Sequence, residues 1–461
     1  MQPPQPPRPP RGRGGRGTGR GRGPSQGQGR PPTPTPAREG QGQGQGAVAG
    51  GPAWSGPLPE AGRVAVIGGG VAGLCCAQAL LEAQAGVRCT LFDTGENGAG
   101  GRMATRRGGV PGDRSLNGFN HPEPWRPHDG LVFDHACQFF TARAPRFQRA
   151  VEDWRAHGLV SEWLGTVGSL DAEGRWAPWG GEAPPTKWVG KHGGMRGVAE
   201  GLLERLEAQY APNFEAQRPC WVNRVKGPKD GWELFAKGRS VGTFDFLVIA
   251  HNGKCANRLV KPTGAAKTFR QLRSLKLSAI WALMVELEGV DLLPEGFEGA
   301  FLEDDATLSW VGNNTAKYGL GARDGRCCWT LFSTAAYGRR NKVPQEAVPE
   351  DVARRVKDEM LAAFYALPGV RGPAREPAAW RAQLWGAALP LNALGEPCTM
   401  EWEKRIGVCG DWLLGSGVQD AALSGFAMAE RILDRNVLEN AGLDRKLRPL
   451  ESGATAIGSF P

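Results

Sequence analysis

Short apolar runs alternate with glycine-rich turns and longer helical patterns along most of the chain. Over residues 63–93 a β-branched run, RVAVI, leads into three glycines. An Ala- and Leu-rich stretch starting near Val71 follows, then a second strand-like run that ends on Asp93. This is the hydrophobic rhythm of strand, helix and strand. Residues 405–433 repeat the order of strand, glycine, acid, loop and helix. Between them lie strand-like runs at 279–287, 307–311 and 327–332, and the turn-punctuated segment 215–242 predicts a small β-meander. Val352, Val356, Met360, Leu361 and Phe364 recur at helical spacing and predict a helix over 349–367. Alternation of this kind predicts an α/β fold built around a parallel sheet.

The pattern fails at the start of the chain. Residues 1–50 hold 14 Gly and 11 Pro, half of that stretch, with no apolar periodicity. They carry eight Arg against the single acid Glu39, which is +7 of the formal +9, leaving +2 for residues 51–461. The basic character is thus a property of the tail, which is expected to be disordered because it has no apolar face to offset ordering entropy. Three readings of the Arg-Gly repeats stand side by side. They are nucleic-acid binding by counterion release and stacking, an Arg-rich organelle transit segment, or an inert extension. The scarcity of Ser (Ser25 alone) weighs against transit, and the lack of aromatics weighs against RNA.

The remaining composition narrows the class. The longest apolar run, near 277–285, is interrupted by Ser278, whereas a spanning helix needs about 20 residues, so no membrane span is expected. No apolar segment of secretory type follows the basic start. The ten cysteines show no C-x-x-C and no zinc-ligand spacing, which predicts free thiols in a reducing intracellular compartment. That compartment is a plastid or mitochondrion if residues 1–50 are a transit segment, and the cytoplasm otherwise. No metal site is expected.

Gly68, Gly70 and Gly73 stand in G-x-G-x-x-G spacing between the first strand and the first helix, with Asp93 twenty residues past the third glycine. That context is a dinucleotide fingerprint. The glycines give a tight turn, close approach to a pyrophosphate and close helix packing, while the acid accepts from ribose hydroxyls. The helix N-terminus at Val71 and Ala72 points amides at the phosphates. Downstream, Gly101 and Arg102 in GAGGRMATRR offer backbone and a guanidinium fork. Gly410 and Asp411 end the late strand, and Gln419, Ala421 and Ala422 open a second helix. No nucleophile-elbow pattern is present.

Taken together, residues 64–107, FDHACQFFTAR (133–143), WVGKHGGMRGVAEGL (188–202), FDFLVIAHNG (244–253), LWGAALP (384–390) and VCGDWLLGSGVQDAALSGFAMAERI resemble a known family. It is the FAD-dependent amine oxidase superfamily, in its renalase-like NAD(P)/FAD-dependent oxidoreductase branch. The resemblance runs over about residues 62–433. It implies a Rossmann-type FAD-binding domain from residues 62–107, 188–262 and 402–435, interleaved with an α+β substrate domain from 108–187 and 263–401. Residues 1–61 and 436–461 are expected to be tails. By position it implies Gly68, Gly70, Gly73, Asp93, Gly101, Arg102 and Asp411 as FAD contacts, with Val222 as a backbone contact on the adenine side.

Two departures qualify the likeness. Neither Lys276 nor Lys317 stands in the context of the lysine that many amine oxidases hold near the flavin. No cysteine motif of covalent flavinylation is present, so non-covalent FAD is expected. The implied activity is two-electron transfer from a small reductant, of amine or reduced nicotinamide type, with NAD(P)H a candidate donor. Trp385, Phe139 and Phe140 are candidates for the aromatic wall of a substrate pocket, with plain core packing as the alternative for each. His135, His192 and His251 are read as packing histidines rather than bases. The alternatives are a nicotinamide-only dehydrogenase, and a dinucleotide-binding regulatory protein whose Arg-Gly tail engages RNA.

Overall fold

The first strand, β1 (Arg63–Ile67), is buried along four of its five residues, and its neighbour β2 (Arg88–Phe92) along three. Both therefore lie inside a sheet covered on two faces, as parallel strands require. The computed structural model describes residues 58–450 apart from 60, 84–85, 109–130, 228–230, 293–295, 323–324, 435–438 and 444. The sequence expectations for residues 1–57 and 451–461 lie outside the described residues.

β1 sits centrally in a six-stranded sheet ordered Thr399–Glu401, Ile406–Val408, Phe246–Ile249, β1, β2, Phe214–Gln217. Every pairing is parallel except the edge pair Thr399–Glu401 with Ile406–Val408. The strand order reverses at β1, β2 following on one side and Phe246–Ile249 on the other, so a crevice opens at the carboxyl ends of β1 and Phe246–Ile249. Helix α1 (Val71–Ala83) leaves β1 over this crevice. The helix Val418–Leu433 crosses it so closely that a Cβ on Gly425 would stand 2.2 Å from the Ala72 carbonyl oxygen. Glycine at that crossing lets the two helix N-termini arrive side by side.

The expected meander divides. Val222–Lys226, Trp232–Ala236 and Arg239–Phe244 form an antiparallel three-stranded sheet. Phe214–Gln217 instead joins the parallel sheet, pairing Cys89 with Phe214 and Phe92 with Gln217. It is an edge strand that buries Phe214 and shows more polar residues outward, a pattern that does not announce a parallel strand.

A second sheet has seven strands, ordered Ala379–Trp385, Ile280–Glu288, Arg326–Ser333, Leu308–Asn313, Phe297–Leu302, Thr166–Leu170, Trp176–Pro178. Helix Glu350–Ala366 lies on it through Val356, Met360, Leu361 and Phe364, which bury against Leu283, Val285 and Trp329. The three runs expected as strands at 279–287, 307–311 and 327–332 are adjacent members of this sheet or separated by one place. Toward the chain end, Arg448–Pro449 pairs with Asn392–Ala393, and Gln271 Nε2 donates to the carbonyl of Gly442 at 2.5 Å. The described part of 436–461 is therefore pinned to the body, although its composition is polar.

Candidate active site

The turn after β1 places Gly68 at φ +125°, where a Cβ would meet the Ala250 carbonyl oxygen at 2.7 Å. Within α1 the first helical bond runs from Leu74 N–H to the Gly70 carbonyl at 3.0 Å. The preceding amides lie outside the helical ladder and form the positive end of the helix dipole. They face a cavity of about 240 Å³, lined by Gly68, Gly70, Val71 and Ala72 from this turn. A Cβ added to Gly70 would meet only the Gly100 carbonyl oxygen, at 3.9 Å, so it would project into that space.

Asp93 closes one end. Its Oδ2 accepts from Gly69 N–H and its Oδ1 from Gly95 N–H, both at 2.7 Å. These bonds fix the carboxylate at the end of β2 while leaving lone pairs for further donors. Across the cavity Arg102 and Asp411 meet. Nη1 donates to Oδ2 at 2.7 Å and Nη2 to Oδ1 at 2.5 Å, and Nη1 also reaches the Ala388 carbonyl at 3.0 Å. The Asp411 charge keeps the Arg102 guanidinium above its usual range in spite of burial, which acts in the opposite direction. Gly417, Val418 and Ala421 bring the second helix N-terminus to the same cavity, and Asp420 caps it by accepting from Gly417 N–H at 2.9 Å. Burial pushes the Asp420 carboxyl up, and the neighbouring Asp411 charge adds to that.

Of the residues singled out from sequence, Gly68, Gly70, Val71, Ala72, Asp93, Gly101, Arg102, Gly410, Asp411, Ala421 and Trp385 line this one cavity. The rest lie elsewhere, each for a visible reason. Gly73 is a packing glycine, since its Cβ would stand 1.9 Å from the Gly68 carbonyl oxygen. Val222 is buried with Phe92 and Phe244. Gln419 turns its Oε1 to the amides of Arg143 and Ala144, at 2.7 and 2.8 Å. Ala422 is buried in the core that includes α1. Phe139 packs among Trp163, Trp179, Phe301 and Trp310, and Phe140 against Phe147 and Trp154, so both are core aromatics.

Several lining residues escaped the sequence reading, among them Cys137, Asn252 and Ser416, and His251, read there as a packing histidine, lines the cavity as well. All four fall inside or beside the strings that carried the family resemblance, which was the available signal. Burial pushes the Cys137 thiol far up, so it stands protonated beside the cavity. His251, at the end of Phe246–Ile249, is held below its ordinary range by burial. Trp385 Nε1 donates to the His135 carbonyl at 2.7 Å, and the two rings stack with centroids 5.6 Å apart.

A buried polar hub also escaped notice. Asp134 Oδ1 accepts from Thr105 Oγ1 at 2.5 Å and from Met195 N–H at 3.0 Å. Its Oδ2 accepts from Lys317 Nζ and Tyr318 Oη, both at 2.5 Å. Lys317 Nζ donates as well to the Gln138 carbonyl at 2.8 Å, so it pins both ends of the turn that presents Cys137. Its partners lie nearly two hundred positions away in sequence, which hides the role of Lys317. Lys276 uses its backbone amide to donate to Asn392 Oδ1 at 2.8 Å. Among the described residues all ten cysteines are free, no cluster of His, Cys, Asp and Glu is arranged to hold a metal, and no helix is long and apolar enough to cross a membrane.

A sheet with β1 at the switch point, a glycine turn, a helix N-terminus and an acid on β2 define a Rossmann-like nucleotide-binding unit. Consistent with that, residues 66–154 match the NAD(P)-binding Rossmann-like domain family. Among solved structures the chain is similar to putrescine oxidase bound to putrescine, with 13% identity, TM-score 0.53, and coverage of 81% of this chain and 99% of that one. Cyclohexylamine oxidase from Brevibacterium oxydans IH-35A gives 13%, 0.54, 81% and 99%. Reduced UDP-galactopyranose mutase gives 13%, 0.55, 83% and 96%. At these identities the likeness shows the fold, and since the names include a mutase as well as oxidases, the fold leaves the reaction open.

Proposed function

We propose that the protein is an oxidoreductase that binds FAD non-covalently and passes two electrons from a small reductant to it, as in the renalase-like branch of the amine oxidase superfamily. Residues 62–107, 188–262 and 402–435 are assigned to the FAD-binding domain, and 108–187 with 263–401 to the substrate domain. The observation that carries this reading is the convergence of Gly68–Ala72 and Gly410–Ala421, more than 300 positions apart, on one cavity. A nicotinamide-only enzyme has no need of the second segment.

The residues present fit the group. The open space beside Gly70 and the amides of α1 accommodate a pyrophosphate, and Asp93 retains lone pairs for ribose hydroxyls. Arg102 and Asp411 hold each other in a fixed fork, presenting a guanidinium edge and a carboxylate edge to polar groups between the two helix ends. When bound, FAD supplies a ring that takes up two electrons. Trp385 flanks the space and keeps water from it, and the turn bearing Cys137 supports it from the side of the Asp134 hub. A protonated Cys137 thiol favours contact over covalent attachment.

Absorbance of the purified protein tests this reading. A flavin spectrum that disappears on anaerobic addition of NADH, NADPH or an amine supports it. Colourless protein that takes up NAD but no added FAD would transfer the assignment to a nicotinamide-only dehydrogenase.

A further inference from the structure

The antiparallel sheet of Val222–Lys226, Trp232–Ala236 and Arg239–Phe244 has two unlike faces. One carries Val225, Trp232, Leu234 and Phe244 into a core with Leu259 and Val260. Pairing register sets the other. Arg224 stands opposite Phe235 and Lys226 opposite Glu233, so these four side chains share the outward side. Arg224 and Lys226 are exposed, and Phe235 is half-buried because the Arg224 guanidinium lies over its ring, 3.9 Å from the centroid.

Trp221, immediately before the first of these strands, is 66% exposed, and among the described residues only Leu164 is another large apolar side chain left so open. Val222 pairs with Ala236, which brings the hairpin turn at Lys237 beside Trp221. Lys237 and Arg239, on either side of that turn's glycine, are both exposed. Arg224, Lys226, Lys237 and Arg239 form no ion pair among the described residues, and Glu233 is the one described acid that the register places on the outward side. The surface is therefore cationic and carries two flat groups, the Trp221 indole and the guanidinium stacked on Phe235. A polyanion with ring faces of its own matches both properties. Insertion into a membrane fits less well, because Phe235 is capped and leaves Trp221 as a lone apolar anchor. An acidic peptide would meet the charges and leave the flat groups unused.

We propose that this sheet face binds single-stranded nucleic acid, with one base stacked on Trp221, a second on the Arg224 guanidinium, and phosphates against Lys226 and Lys237. Stacking on a sheet is tolerant of sequence, since every base has a flat face, and the lysines add affinity by releasing counterions. The Arg-Gly repeats of residues 1–50 carry charge without aromatics, so what separates binding by this face from binding by them is the stacking contribution. The proposal does not depend on the flavin reading.

Fluorescence anisotropy of a labelled oligouridylate of about twelve nucleotides, titrated with the full-length chain over a range of salt concentrations, tests this. The expected result is saturable binding that weakens with salt. Trp221→Ala should weaken it about fivefold or more at every salt concentration, and Trp221→Phe, which keeps a ring, should restore most of the loss. Lys226→Gln and Lys237→Gln should each make the salt dependence shallower, by about 0.7 in the slope of log affinity against log salt. These side chains are exposed and outside the cofactor cavity, so an unchanged urea midpoint and flavin content in each variant show that the fold is intact. Binding that is absent overturns the proposal, and so does binding equal in the parent and all the variants, which would place the contact on another segment of the chain. Two competition results overturn it as well. Phosphatidylserine vesicles that bind more tightly than the RNA and lose that binding in Trp221→Ala would assign the face to a membrane, and polyglutamate that displaces the RNA at equal charge would leave no part for stacking.

Discussion

Arg102 and Asp411 stand 309 positions apart and close on each other as a two-point ion pair at the rim of a single cavity. The side chain of Asp411 is 5% exposed and that of Arg102 26%, so solvent screens the pair only in part. Asp411→Asn leaves the guanidinium facing an uncharged amide and loosens the joint between the two segments that form the site. The expected loss is about 1.5–3 kcal/mol of cofactor affinity, roughly ten- to hundredfold. Flavin content after exhaustive dialysis measures it, and full retention would show that the pair does not hold the cofactor.

Two glycines of one fingerprint, Gly70 before α1 and Gly73 inside it, should behave in opposite ways. A Cβ on Gly70 enters open space, whereas one on Gly73 stands 1.9 Å from the Gly68 carbonyl oxygen. Gly70→Val is therefore expected to keep the folded midpoint in denaturant close to that of the parent apoprotein and to lower FAD affinity at least tenfold. Gly73→Ala should lower the midpoint itself, with a cost of about 1–3 kcal/mol from overpacking. Equal flavin affinity in Gly70→Val would place the pyrophosphate elsewhere.

Local pattern made the nucleotide-binding half of the fold legible. β1, α1 and β2 are short-range elements with an uninterrupted glycine signal, and helix Glu350–Ala366 shows its apolar face every three to four residues. What pattern does not carry is pairing at long range. Phe214–Gln217 reads as the start of a meander because nothing local tells an edge strand that its partner is β2. Phe139 and Phe140 read equally as pocket walls or as plain core, because aromatic type alone does not distinguish a cavity from the rings that fill one. His135 reads as a satisfied core residue because an orphaned nitrogen is visible only once its surroundings are placed.

The Asp134 hub offers a test of how the two sheets are joined. Lys317 and Asp134 are both almost wholly buried, at 2% and 0% side-chain exposure. Lys317→Met strands a carboxylate that is still bonded to Thr105, Met195 and Tyr318, and breaking such a pair costs about 3–5 kcal/mol. Adding Asp134→Asn removes the stranded charge, so the double variant should regain part of the loss. Urea unfolding of both single variants and the double variant completes the cycle. Strictly additive losses would mean that the pair does not act as a unit.

Stability should fall as pH drops below neutrality, well before carboxylates titrate. His135 and His251 both bind protons more weakly in the folded protein than in the unfolded chain, His135 chiefly through burial and the Arg106 charge, His251 through burial. Below the unfolded value of about 6.5 the unfolded chain therefore holds more protons, and the free energy of unfolding rises with pH. The contribution of each histidine is complete above that value. It is lost at up to about 1.4 kcal/mol per pH unit as the pH falls toward the folded value. Urea midpoints at about pH 7.5, 6.5 and 5.5 give the slope. His135→Gln, which cannot titrate, should flatten it, and a variant with the parent's slope would mean that His135 binds protons equally well in the folded and the unfolded chain.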